Sequence, residues 1–278
     1  MIKTLFPTRN QLGEAPIWCA QRQALFWLDI LNRELFMAYH VDSNPILTIR
    51  FLPIMITAMD ILDEDHLIMA GLGGVYQYHI EKQELSLLAA FEHEPAGNRP
   101  NDGKMDGYGR FWFGTMDHQE KQYSGRLYCY QQGKIHPFHD DIGICNGFGW
   151  SPDHKIMYNG DSMRQEIYRY DYDADTGHIS NKRLFISLKG EDIYPDGLCV
   201  DEEGYIWSAQ WNGYRIIRYD PNGNMAQNIA MPIACPSSCV IGGKDNDKLF
   251  ITSARKAFDA KELLTQPEAG ALFMLNIK

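Results

Sequence analysis

Residues 98–117 read NRPNDGKMDGYGRFWFGTMD. An aromatic run, FWFGT at 111–115, follows a turn marked by Gly107 and Gly109 and leads into a polar cluster at Thr115 to Glu120. The turn glycines and the apolar run suffice for a hairpin. A hairpin does not need Arg99, Asn101, Asp102 and Lys104 crowded around Gly103, and that excess of polar groups marks a site.

Working outward, the same short strand after a turn recurs: LFWLD at 25–29, LIMAG at 67–71, FWFGT at 111–115, IMYNG at 156–160, IWSAQ at 206–210 and LFITS at 249–253. Their first residues lie 42, 44, 45, 50 and 43 positions apart. Each copy is followed by another strand, such as VYQY at 75–78 or IYRY at 167–170. A period of ~40–50 residues holding several short strands is the mark of a β-propeller blade. Six units therefore predict an all-β fold, a six-bladed β-propeller, with residues 1–278 as one domain. An all-β sandwich also has many short strands, but gives no reason for one motif to return at near-constant spacing. The early strand at 2–6 is expected to pair with the last, at 271–277, closing the ring and hiding a sheet edge. Only 256–266 reads as helical, inside a connection at 255–270 expected to form a partial lid.

The chain carries a net charge of −10, which argues against nucleic acid and anionic membrane as partners, since both select basic patches. The longest apolar run, around Phe51 to Met59, is interrupted by Pro53 and closed by Asp60, so no membrane span is expected. The N-terminus reaches Pro7, Arg9 and Glu14 without a continuous apolar segment, so the expectation is a cytoplasmic protein without a signal peptide. Six cysteines lack CxxC spacing and sit in apolar segments, the pattern of buried free thiols. The expected partner is a small molecule, and the expected assembly a monomer or weak homodimer.

In a propeller the first strand of each blade lines the axis. Antiparallel pairing puts its start and the end of the second strand on one face of the ring. The starts are Glu14, Thr57 or Ala58, Asn101 with Asp102, Asn146, Asp196, and Ser237 with Ser238; the ends are Asp29, Leu72, the run from Asp117 through His118 to Gln119, Asp161, Gln210 with Trp211, and Arg255. Glu14, Asn146 and Asp196 thus offer two carboxylates and one amide oxygen from three blades. Converging carboxylates repel unless a cation lies between them, and hard oxygen donors suit Ca²⁺, Mg²⁺ or Mn²⁺ better than Zn²⁺. Taken singly, Asn146 and Asp196, each before a glycine, also fit an Asx-type turn; their recurrence at one register favours the cation.

Six segments carry a more specific signal: GEAPIW at 13–18, RPNDGKMDGYGRFWFGTM at 99–116, NGFGWSPDHKIMY at 146–158, YPDGLCVDEEGYIWSAQWNGYRIIRYDPNG at 194–223, SSCVIGGKDNDKLFITSAR at 237–255 and QPEAGALF at 266–273. Together they resemble the SMP-30/gluconolactonase family, six-bladed propellers among which many are sugar lactonases. The resemblance implies that Glu14, Asn146 and Asp196 hold one divalent ion, calcium in the first place with Mn²⁺, Mg²⁺ or Zn²⁺ as alternatives. It also implies that Arg99 and Asn101 hold a sugar lactone. Where family members place an acidic residue against sugar hydroxyls, after the GTM at 114–116, this chain is expected to place Gln119, beside His118 and Glu120.

Opening a lactone requires a polarised carbonyl, an activated water and donors for a developing oxyanion. Arg99 and Asn101 are the donors in this reading, Asp196 the proton acceptor and Glu14 a second candidate. Hydrolysis of other esters or phosphotriesters is the alternative within enzymes, and a non-catalytic calcium-binding regulatory propeller the alternative outside them. Asp102 reads as a residue that bonds its own turn, and Lys104 as a solvated turn lysine. Tyr194 and Trp211 are aromatic candidates for stacking on a sugar ring, and Asp161 and Arg255 further substrate contacts. His136 with His139 lacks a third ligand. Asp171, Asp173 and Asp175 mimic a calcium loop, but Gly177 falls one place late and Lys182 replaces the bidentate acid, so a hairpin turn is expected.

Overall fold

The second strand of each predicted unit opens on consecutive apolar residues rather than on alternating ones. Such a strand must be covered on both faces. The computed structural model, which describes residues 2–278, shows why. Six four-stranded antiparallel sheets stand around one axis, so a central strand such as Ala24–Asp29 packs against its neighbours on both sides and every residue in it is buried. Outer strands such as Met225–Ala230 face solvent and carry mostly polar or small residues.

From the axis outward, the first blade contains Gly13–Cys19, Ala24–Asp29, Glu34–Tyr39 and Ile46–Phe51. The next four begin with the inner strands Ile56–Ile61, Asn98–Met105, Cys145–Trp150 and Tyr194–Val200. The sixth is built from Pro236–Gly242, Lys248–Ser253 and Leu272–Asn276, with Lys3–Phe6 from the N-terminus as its outermost strand. Thr4 pairs with Phe273 and Phe6 with Leu272, closing the ring as expected. The single helix among the described residues, Ala260–Thr265, starts on an Asp259 cap whose box is completed by Glu262. Among the described residues no helix is long and apolar enough to cross a membrane.

One irregularity recurs in all six blades. The ladder between first and second strands shifts register between Glu14 and Ile17, Ile56 and Ala58, Pro100 and Gly103, Asn146 and Phe148, Pro195 and Leu198, and Pro236 and Ser238. A bulge inserts one residue and re-aims a side chain. Here it does so at the same height in every blade, where the polar starts of the inner strands lie. At two of these bulges only glycine fits. Gly147 has φ +64° and a Cβ there would lie 2.8 Å from the Leu198 side chain; a Cβ on Gly197 would lie 2.1 Å from Ser238 Oγ. The Asn-Gly and Asp-Gly pairs are thus explained by close approach of the next blade as well as by turn chemistry.

The third and fourth blades are tied by a buried polar cluster. Asp106 accepts from the backbone of Tyr108 (2.7 Å) and Arg110 (3.2 Å), from Arg110 Nε, from Trp112 Nε1 (3.1 Å) and from the Tyr172 hydroxyl. Arg110 also donates to the Tyr172 hydroxyl (2.7 Å) and the Ala174 carbonyl. Both members of the pair are 2% exposed.

Candidate functional site

At one end of the axis a cavity of about 410 Å³ opens. Glu14, Asn146 and Asp196 line it together with Arg99, Asn101, Glu120, Ser162, Tyr194, Trp211 and Lys256; Leu12, Met116, Ile144 and Met163 form an apolar wall. The three residues expected to hold a cation therefore meet, each 7% exposed or less.

Their hydrogen bonds set them apart from the other buried acids. Asp29 accepts from Gln11 N, Leu12 N and Asn32. Asp161 accepts from Gly143 N and Ile144 N and pairs with Arg164 Nε at 3.1 Å. Asp102 accepts from Gly103 N and, across the blade boundary, from Gly147 N, both at 2.8 Å. The Asp106 cluster is fuller still, and although burial acts to raise its pKa, donors from Tyr172 and Arg110 hold it below the ordinary range. By contrast Glu14 accepts one bond, from Ala15 N at 3.2 Å, and Asp196 accepts from the Asn146 amide. Ionised carboxylates have about four lone-pair sites each. Burial first, then Asp196 and Asp102, push the Glu14 carboxyl well up; burial first, then Asp102, push Asp196 to about 8.

Two buried, underdonated carboxylates facing one cavity, with an amide beside them, fit a hard divalent cation. Among the described residues no three His, Cys, Asp or Glu side chains gather at one point. The donor set is two carboxylates plus an amide, and Ser162 Oγ (3.2 Å from Asn146 Nδ2) and the Asp196 carboxylate orient that amide.

This arrangement has a consequence for stability without cation. In the unfolded chain an Asp ionises near pH 4, whereas folded Asp196 does so near 8. Between these values the unfolded state holds fewer protons, so the penalty is absent below about pH 4 and complete above about pH 8. Chelated protein should lose urea resistance from pH 5 to pH 8 relative to Asp196→Asn, and a divalent cation should restore it at pH 8. Equal pH dependence in the two proteins would refute the electrostatic reading.

Arg99, 6% exposed, donates from Nη1 to the Pro100 carbonyl (2.9 Å) and to Asn101 Oδ1 (3.0 Å). Asn101 Nδ2 donates to the Cys145 carbonyl of the next blade at 3.1 Å. Asn101 thus fixes Arg99 with its oxygen while its nitrogen ties two blades. Both line the cavity, but Arg99 has the larger number of uncommitted N–H groups.

His118 and Gln119 do not line the cavity. Asp117 accepts from Gln119 N, Lys121 N and Gln122 N, which makes 117–122 a tight turn. Glu120, at φ 58°, is the residue that reaches the cavity. An acidic side chain thus lines the cavity one position after Gln119. Lys256 was not singled out from the sequence. Its Nζ lies 2.9 Å from Glu120 Oε1 and 5.6 Å from the Trp211 ring centre, and its backbone N–H donates to Gln11 O at 2.9 Å. One signal could have found it: Lys256 stands three residues beyond the end of its second strand at Ser253, as Glu120 does beyond Asp117. Tyr194 and Trp211 line the cavity, whereas Asp161 and Arg255 do not. His139 stacks on Tyr170 and His136 lies on an outer strand. Asp173 caps a turn through Asp175 N and Thr176 N, as the hairpin reading required. Lys104 lines a smaller cavity deeper on the axis rather than the mouth.

Comparison with known proteins gives a consistent result. The family described as SMP-30/gluconolactonase/LRE-like region matches residues 12–255. Regucalcin of Bos taurus is 35% identical over 272 residues, 95% of this chain and 90% of its own. The Bacillus subtilis protein YvrE, provisionally named a sugar lactone lactonase, is 33% identical over 98% of this chain and 93% of its own. A crystal structure of a regucalcin from Agrobacterium tumefaciens, described as calcium-binding, superposes with a TM-score of 0.93 at 30% identity, covering 99% of this chain and 92% of the other.

Proposed function

The chain belongs to the SMP-30/gluconolactonase/LRE-like family, and from that premise we propose that it is a divalent-cation-dependent hydrolase opening sugar lactones to aldonic acids. The observation that carries this reading is the donor deficit at Glu14 and Asp196, which contrasts with the three or more hydrogen-bond donors on each of Asp29, Asp106 and Asp161. A cation held by Glu14, Asn146 and Asp196 would compensate their charge and supply Lewis acidity toward a carbonyl oxygen.

The chain's own residues do the rest. Arg99, held rigid by Asn101, directs its free N–H groups into the cavity where negative charge develops on the carbonyl oxygen. Asp196 accepts the proton of the attacking water, and a cation beside it would hold its carboxylate ionised for that role. Glu120 accepts hydrogen bonds from sugar hydroxyls, and Trp211 and Tyr194 offer ring faces beside them. The apolar wall of Leu12, Met116, Ile144 and Met163 favours a second reading, in which less hydroxylated esters also enter. A panel of aldono-1,4- and 1,5-lactones with simple aryl and alkyl esters, followed by proton release, distinguishes them. Preference for the lactones is expected; turnover of none of the panel would remove both readings.

Glu120→Ala should raise KM about 10-fold, the loss of one hydrogen bond to a charged acceptor, with kcat changed less than about threefold. Its pair with Lys256 is solvent-exposed and so contributes little to folding; the unfolding midpoint should stay put. His118→Ala and Gln119→Ala should leave KM unchanged. A KM effect at Gln119 but none at Glu120 would reverse the assignment.

A further inference from the structure

Of the six cysteines, two touch. Cys199, on the inner strand of the fifth blade, and Cys239, on that of the sixth, have sulfurs 3.7 Å apart, both thiols being 3% exposed or less. Cys19, Cys129, Cys145 and Cys235 are buried without a neighbouring thiol among the described residues. Cys239 also borders the small cavity of about 20 Å³ on the axis, which Lys104 lines. That volume is about one water-sized probe, so an oxidant no larger than a hydroperoxide is the kind that reaches the pair.

We propose that Cys199 and Cys239 form a reversible disulfide on exposure to hydroperoxide, stapling the inner strands of the fifth and sixth blades. One sulfur attacks the O–O bond, which breaks to release water and leaves a sulfenic acid. The second sulfur then attacks the sulfenic sulfur, the S–S bond forms, and the hydroxyl leaves as a second water. The two thiols lose two electrons and two protons, and one hydrogen peroxide becomes two waters. The surroundings favour this pair over the others. The hydrogen bond from Cys239, opposed by burial and aided by nearby Lys104, holds the Cys199 thiol below its ordinary value, while the same contact and then burial push Cys239 well up; burial pushes Cys129 and Cys235 up to about 12. The bond would close a loop across residues 40 apart in sequence, which restricts the unfolded chain.

The test uses the folded, full-length protein and about a tenfold excess of hydrogen peroxide, quenched before denaturation, thiol counting and non-reducing peptide mapping. The expected result is loss of two of the six thiols, a mass about 2 Da lower and a single linked peptide joining Cys199 to Cys239. The melting temperature should rise by about 5 °C, and dithiothreitol should reverse every change. Cys199→Ser and Cys239→Ser should each form no link and show no rise. Six thiols surviving peroxide, a link through another cysteine, or oxygen added irreversibly would each overturn the proposal. The wild-type peptide map decides it even if a serine variant folds poorly.

Discussion

Asp196→Asn is expected to lower kcat/KM toward aldonolactones by at least about a thousandfold. Two losses combine. The substitution removes one of two charged oxygens from the cation site, and loss of a ligand or its support typically costs about 10- to 100-fold in affinity or activity. It also removes the proton acceptor, worth about 10²–10⁴-fold. The two are separable, because excess cation can restore occupancy but not the base. Activity should therefore stay low at saturating cation, and the deficit should lie in kcat. The fold should survive: Asn146, itself held by Ser162, remains to donate to the new amide oxygen, and Asp196 occupies a bulge whose geometry is held by Gly197 against Ser238. A loss smaller than about tenfold at saturating cation would take Asp196 out of the reaction.

Asp106→Ala is expected to destabilise the folded protein by about 3–5 kcal/mol, the range for removing one partner of a buried ion pair. Arg110 would keep its charge at 2% exposure with only the Tyr172 hydroxyl and backbone carbonyls of 174 and 175 to receive its N–H groups. Trp112 Nε1 would lose its acceptor as well. Replacing the whole cluster with apolar residues of similar volume should cost much less, since the penalty is the orphaned charge rather than the missing pair. Chemical unfolding of the two variants checks this; a midpoint for Asp106→Ala close to the parent would show that water or a rearranged side chain rescues Arg110.

The propeller was legible because each blade obeys the same burial constraint, so its second strand repeatedly opens on consecutive apolar residues with a turn before it. The convergence of Glu14, Asn146 and Asp196 on one cavity was legible for a related reason: they share one register in three blades. The bulges that aim those side chains were not visible, because Thr57 and Ser237, at the corresponding bulges of two other blades, share no residue type with them. The aspartates at Asp29, Asp117 and Asp161 share the strand-end register with site residues, yet they hold backbone amides of the adjoining turns. Register alone cannot tell a capping carboxylate from a ligand; the count of donors around it can. Glu120 and Lys256 escaped counting because they lie in turns with backbone reversals, where position along the chain no longer maps onto height above the axis.

The proposed function requires one divalent ion held between Glu14, Asn146 and Asp196 for lactone opening. It is tested most directly by titrating Ca²⁺ or Mn²⁺ calorimetrically into chelated protein while proton release from a lactone is followed in the same samples. The account predicts one ion per chain, turnover that is absent before the titration and saturates with it, and loss of both in Glu14→Gln and Asn146→Ala. Full turnover after chelation, or those variants binding the ion as tightly as the parent, would contradict it.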